Sequence, residues 1–120
     1  MEDVGAPRSR LPELLAEIER IADAHDVRCG TFGHAGDGNL HPTFVWDRGD
    51  VAAEERAHTA CEELYRAAIA LGGTVTGEHG IGAARRSFLQ LQVGAEAVAV
   101  MRSIKDALDP LGILNPGRVV

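Results

Sequence analysis

The spacing of hydrophobic positions predicts an amphipathic helix near the start of the chain. From Leu11, apolar side chains recur every three or four residues, and charged side chains occupy the positions between them. Ser9 is a suitable N-cap, and Pro12 is tolerated in a first helical turn. A histidine suits the negative end of a helix dipole, so we expect this helix to close at His25.

The rest of the pattern predicts four strands and two more helices. The predicted strands cover residues 2–7, 27–34, 40–46 and 73–77, and the later helices cover residues 51–71 and 95–108. The resulting order is strand, helix, strand, strand, helix, strand, followed by one further helix. This order predicts an α+β fold, namely a ferredoxin-like βαββαβ antiparallel sheet with helices on one face plus a C-terminal helix.

Composition narrows the classes of protein that fit this fold. A chain of 120 residues fits one domain with a modest core. The net charge of -6 argues against nucleic acid as a partner. No apolar run approaches the roughly 20 residues of a membrane span, and the N-terminus lacks the apolar segment of a signal peptide. We therefore expect a cytoplasmic protein, or one on the cytoplasmic side of a larger assembly.

The segment "FGHAGDGNLHP" (32–42) holds two of the five histidines around a glycine-rich turn. If residues 35–40 form the loop, His34 and His41 face each other across two antiparallel strands. Their β-carbons would then lie about 5 Å apart, close enough for both imidazoles to share one ion. A loop of five or seven residues would place them on opposite faces unless a bulge corrected it. Taken alone, "GDGN" is also an ordinary tight turn.

The segment "TGEHGIG" (76–82) places an acidic residue beside a histidine just after a predicted strand. Neighbouring side chains on extended backbone point apart, so we expect Glu78 and His79 to serve different tasks. Glu78 would complete a set with His34 and His41. Two imidazoles and one carboxylate leave coordination positions open, as catalytic zinc or iron sites require. His79 would then be a candidate general base, although "EHG" alone is also typical of a surface turn.

Four stretches in order carry a resemblance to a known family: "DVGAPRSRLPELL", "FGHAGDGNLHP", "GTVTGEHGIG" and "LDPLGILNPGRV". Together they resemble the C-terminal domain of FAD-linked oxidases of the vanillyl-alcohol oxidase superfamily. Among the members of this superfamily, the chain resembles the glycolate oxidase FAD subunit and D-lactate dehydrogenases. The resemblance implies that residues 1–120 form the C-terminal part of a substrate-binding cap domain, and that the FAD-binding domain lies outside this chain.

The resemblance also implies roles for individual residues. His34, His41 and Glu78 would hold a divalent metal, with zinc as the first expectation, and His79 would remove the substrate hydroxyl proton. Asn115 would lie in a tail that approaches the flavin. The metal would bind the carboxylate and hydroxyl of a D-2-hydroxy acid, and a hydride would pass from C2 to the flavin, giving the 2-oxo acid.

The resemblance implies partners as well. We expect a small 2-hydroxy acid as substrate and an FAD-binding domain or subunit to complete the enzyme. The isolated chain is not expected to complete the redox reaction. Surface that would face the FAD-binding portion should be apolar, so we also expect a homo-oligomer.

Two other functions remain open at this point. One is a free-standing divalent-metal hydrolase that uses the same three ligands and a metal-bound water. The other is a non-catalytic ferredoxin-like binding module whose histidines bind nothing. The tail "ILNPGRV" favours a flavin neighbour, because a hydrolase gives no reason for it.

Overall fold

The computed structural model describes all 120 residues and divides into two compact units, Met1–His79 and Gly80–Val120. The first unit contains β1 (Val4–Gly5), α1 (Leu11–Ala24), β2 (Arg28–His34), β3 (Asn39–Val45) and α2 (Val51–Ala70), and the second contains α3 (Arg86–Leu108). A 3-10 turn over Arg8–Arg10 precedes α1 and includes Ser9, so the predicted N-cap is wrong. The predicted α+β fold with an antiparallel sheet and a C-terminal helix is confirmed.

The sheet has three strands in the order β1-β3-β2, and both pairs are antiparallel. The full strand predicted over residues 73–77 is wrong, because only one bridge forms there, between Gly5 and Thr74. The physical reason lies in the next residues. The backbone N–H groups of residues 77–79 donate to the carboxylate of Asp3 and are therefore lost to a strand ladder.

The core of the first unit lies where α1, α2 and the sheet meet. Its buried hydrophobic side chains include Val4, Leu14, Ile18, Ile21, Leu40, Phe44, Leu64 and Val75. Along β3, Leu40 and Phe44 belong to this core. Successive side chains of a strand point to opposite faces, so Asn39 and His41 point away from it. The central strand of the sheet therefore fixes the position of His41.

The second unit is built around α3, which begins at Arg86, well before the predicted start at residue 95. Gly94 has φ 84° and ψ 162° and divides α3 into residues 86–93 and 95–108. This backbone region is essentially restricted to glycine. The predicted helix is thus the second half of α3. No helix of the protein has both the length and the apolar character needed to cross a membrane.

Candidate metal centre

The β2–β3 hairpin turns over residues 35–38 and sets the positions of two predicted ligands. The register pairs Phe32 with His41 and His34 with Asn39. The prediction that His34 and His41 oppose each other across a loop of residues 35–40 is wrong, because β3 already begins at Asn39. The two histidines are diagonal neighbours on one face, and such pairs remain within reach of aromatic side chains. Their ring centroids lie 5.5 Å apart, edge to face.

Glu78 brings its carboxylate to both of these histidines. Its Oε1 lies 3.1 Å from Nε2 of His34 and 3.2 Å from Nε2 of His41. The three ligand atoms all lie within 4.8 Å of one another. The His41 side chain is 3% exposed, whereas those of His34 and Glu78 are 55% and 51% exposed. The structure therefore brings the predicted set together, with one buried member and two that are open to solvent.

His79 lies against the same buried histidine. Its ring stacks on that of His41, with centroids 4.9 Å apart and planes 13° apart. Its Nε2 lies 4.0 Å from Oε1 of Glu78. The prediction that extended backbone would point Glu78 and His79 apart is wrong, since residues 77–79 form a bend. Both side chains turn towards His41.

Asp3 holds this bend in place, although neither of the two histidine motifs pointed to it. Its Oδ2 accepts a hydrogen bond from the Thr76 hydroxyl at 2.6 Å. The same oxygen accepts the backbone N–H groups of Gly77, Glu78 and His79 at 2.9, 3.0 and 2.8 Å. Burial alone would raise the pKa of Asp3, but these hydrogen bonds outweigh it and lower the pKa to about 2. The only signal in the sequence was an acidic residue inside a predicted strand.

The two sequence motifs also touch directly, at Gly77 and Asn39. A β-carbon at Gly77 would lie 2.2 Å from Cγ of Asn39, so only glycine fits there without rearrangement. Asn39 is 6% exposed and lies on the same face of the hairpin as His41. A cleft of about 550 Å³ opens beside this contact, and His34 and Glu78 are among the residues that line it. The two half-exposed members of the set therefore face an open space.

Asn115, the predicted flavin contact, belongs to the second unit. It has a positive φ of 47° and lines an open groove of about 810 Å³ together with Met101, Ile104 and Leu108. Its role towards a flavin stays a prediction.

Comparison with known proteins decides the family. Residues 1–119 match the family model described as FAD linked oxidases, C-terminal domain. The chain belongs to this family. All four sequence stretches that carried the resemblance lie within the matched range. The predicted family is confirmed.

Relatives of this FAD-linked oxidase domain include subunits of larger enzymes. It is 43% identical over 119 residues to the glycolate oxidase subunit GlcD of Bacillus subtilis, covering 99% of this chain and 25% of the relative. It is 42% identical over 118 residues to the probable mitochondrial D-lactate dehydrogenase of Danio rerio, covering 98% and 24%. It is 34% identical over 112 residues to GlcD of Escherichia coli K12, covering 93% and 22%. The chain thus spans about a quarter of the length of these relatives.

The donor atoms of the FAD-linked oxidase domain fit a divalent cation. Two imidazole nitrogens and one carboxylate oxygen lie within 4.8 Å of one another, and this donor set suits zinc and related metals. A second group, formed by Asp3, His41 and His79, also lies within 4.8 Å. In that group the Asp3 and His41 side chains are 0% and 3% exposed, whereas His34 and Glu78 of the first group line an open cleft. The set of His34, His41 and Glu78 is therefore the candidate that leaves space for a further ligand.

Proposed function

We propose that this FAD-linked oxidase domain binds a divalent metal through His34, His41 and Glu78, and that it thereby holds a D-2-hydroxy acid for oxidation. The observation that carries the proposal is the convergence of the three ligand atoms within 4.8 Å. Zinc is the first metal to test, since two histidines and one glutamate form a known catalytic zinc set.

The unequal exposure of the three ligands supports a substrate site. His41 is buried on the central strand and fixes the position of the site, while His34 and Glu78 line the open cleft. A small hydroxy acid can approach from that side, where coordination positions are not filled by protein. When bound, the metal would lower the pKa of the substrate hydroxyl, and FAD would accept the hydride from C2.

His79 is the proposed base for the substrate hydroxyl proton. Its ring stacks on His41, and its Nε2 lies 4.0 Å from the Glu78 carboxylate, so it borders the site without being one of the three ligands. Its side chain is 37% exposed and can therefore pass the proton on to solvent. A histidine within reach of the reacting hydroxyl is a common general base.

The names of the relatives supply the first substrates to test, and the family supplies the cofactor. They are glycolate oxidase subunits and D-lactate dehydrogenases, so glycolate and D-lactate are the acids that we propose first. We further propose that an FAD-binding domain or subunit supplies the flavin, and that Asn115 lies near it. Membership of the FAD-linked oxidase family favours oxidation over the hydrolase and the binding module.

A cobalt-substituted chain tests substrate binding without the flavin. Cobalt(II) has visible absorption bands that respond to its ligands, and it occupies similar sites to zinc. We expect D-lactate and glycolate to change these bands at lower concentration than propionate, which has a carboxylate but no hydroxyl. Absorption bands that do not change with either hydroxy acid, or that change equally with propionate, would count against the proposal.

The hydrolase alternative predicts a different activity, which can be measured in the zinc-loaded chain. Zinc-dependent hydrolysis of p-nitrophenyl acetate that disappears in Glu78→Gln would support the hydrolase and contradict the proposal. We expect no zinc-dependent hydrolysis. His58→Ala is the matched control, because His58 is an exposed histidine on α2 outside the set.

A further inference from the structure

We propose that Asp3 is the positioning residue of this metal site, and that its two carboxylate oxygens have separate tasks. One oxygen holds the bend that carries Glu78 and His79. The other fixes the ring orientation and the tautomer of His41. This inference rests on the metal-binding function proposed above.

The sheet register places Asp3 beside His41. β1 and β3 pair Val4 with Leu40 and Gly5 with Asn39. The same register continued by one residue sets Asp3 opposite His41. The backbone N–H of Glu2 donates to the carbonyl of Pro42 at 2.8 Å, so the two segments remain side by side there.

Two buried polar atoms face each other at this point. Oδ1 of Asp3 and Nδ1 of His41 lie 3.6 Å apart, in side chains that are 0% and 3% exposed. Neither atom has another hydrogen-bond partner. Since buried polar atoms nearly always have a partner, a small movement that joins these two satisfies both. An ionised carboxylate only accepts hydrogen bonds, so Nδ1 of His41 must carry the proton and donate it.

This tautomer decides what the other ring nitrogen can do. With the proton on Nδ1, Nε2 of His41 presents a lone pair towards Oε1 of Glu78, 3.2 Å away. A cation between these two acceptors would be attracted by both, and without one the half-exposed Glu78 carboxylate can turn to solvent. The arrangement is the one in which a carboxylate orients a histidine that binds metal through its other nitrogen.

The second oxygen of Asp3 binds the bend formed by residues 77–79. Its Oδ2 accepts the Thr76 hydroxyl and three successive backbone N–H groups, at 2.6 to 3.0 Å. These bonds set the direction in which Glu78 and His79 leave the backbone. The buried Asp3 side chain thus connects His41 on the hairpin to Glu78 on the bend.

Asp109 offers a matched control in the same chain. It is also buried, at 6% exposure, and accepts backbone N–H groups from Ile113 and Leu114 at 3.0 and 2.9 Å. Its side-chain partner is Lys105 instead of a histidine. Asp109→Asn therefore removes a buried, loop-holding carboxylate without removing a contact to a metal ligand.

The test combines a spectroscopic signature with a metal titration. In the metal-free 120-residue chain, ¹⁵N spectra of the imidazole rings report the tautomer of His41, and we expect the proton on Nδ1. Zinc affinity is then measured against a competing chelator. Loss of such an outer contact lowers metal affinity by about 10–100-fold, which is the effect we expect for Asp3→Asn. Asp109→Asn should retain the affinity and the tautomer.

The outcomes separate this inference from the function on which it rests. A wild-type chain that binds no zinc would overturn the proposed function and, with it, the metal role of Asp3. Zinc binding that survives Asp3→Asn, or a His41 proton on Nε2 in the wild type, would overturn the role of Asp3 alone. The wild-type spectrum needs no variant, so it decides the tautomer even if Asp3→Asn does not fold.

Discussion

Nε2 of His41 lies 3.2 Å from Oε1 of Glu78, and this contact joins the central strand of the sheet to a bend outside the sheet. His41 takes its position from β3, whose other face belongs to the hydrophobic core. Glu78 takes its position from a bend held by hydrogen bonds to Asp3. A change in the bend should therefore alter the metal site while it leaves the hairpin intact.

Gly77→Ala tests the close contact between the two motifs. The new β-carbon would lie 2.2 Å from Cγ of Asn39, so either the bend or the asparagine must move. Overpacking of this kind costs about 1–3 kcal/mol in the free energy of unfolding. We expect a loss of that size in urea denaturation, together with weaker zinc binding.

Gly36→Ala is the control for this prediction, because a β-carbon at Gly36 meets no heavy atom within 4 Å. We expect its stability to change by no more than about 0.5 kcal/mol. In a double mutant, Asn39→Ala should restore part of the stability lost in Gly77→Ala. Equal stability of the two glycine variants would show that the contact is not restrictive.

Cys61 should react slowly with alkylating reagents. Burial, together with the nearby carboxylate of Glu2, raises the pKa of its thiol to about 12. A raised pKa leaves little thiolate at pH 8, so alkylation by iodoacetamide should be roughly tenfold or more slower than for a free cysteine. The rate, followed by mass spectrometry of the peptide, should still be rising at pH 10. A rate that reaches half of its maximum near pH 9 would mean that the thiol is unperturbed.

Self-association is expected through the second unit. Its large hydrophobic side chains that are exposed include Leu91, Val100, Ile104, Leu108, Leu111, Ile113 and Leu114. Apolar patches of this kind mark interaction surfaces. Sedimentation velocity should show association that weakens when Ile104 and Leu108 are replaced by glutamate. Val51→Glu, at an exposed position of α2, is the control. A monomer at every concentration would contradict this prediction.

The helices and the hairpin could be predicted because their signals are local. The periodicity from Leu11 marked α1, and the turn residues between 35 and 38 marked the hairpin. The break in α3 at Gly94 shows the limit of this approach, since the break interrupted the pattern and only the second half was recognised.

The candidate site could be predicted only in part. The types and approximate positions of His34, His41 and Glu78 followed from two short motifs. The exact register of the β2–β3 hairpin did not, because it depends on the residue at which the turn ends and β3 begins. Asp3 could not be found in this way, since its partners at residues 76–79 are distant in sequence and no local pattern links them.

The most direct test of the metal site is elemental analysis of the purified chain after exposure to zinc and removal of the excess. His41→Ala removes the buried ligand, and His58→Ala serves as the control at a histidine outside the set. We expect about one equivalent of zinc in the wild type and in His58→Ala, and none in His41→Ala. A wild-type chain without zinc, or a His41→Ala variant that keeps its full equivalent, would contradict it.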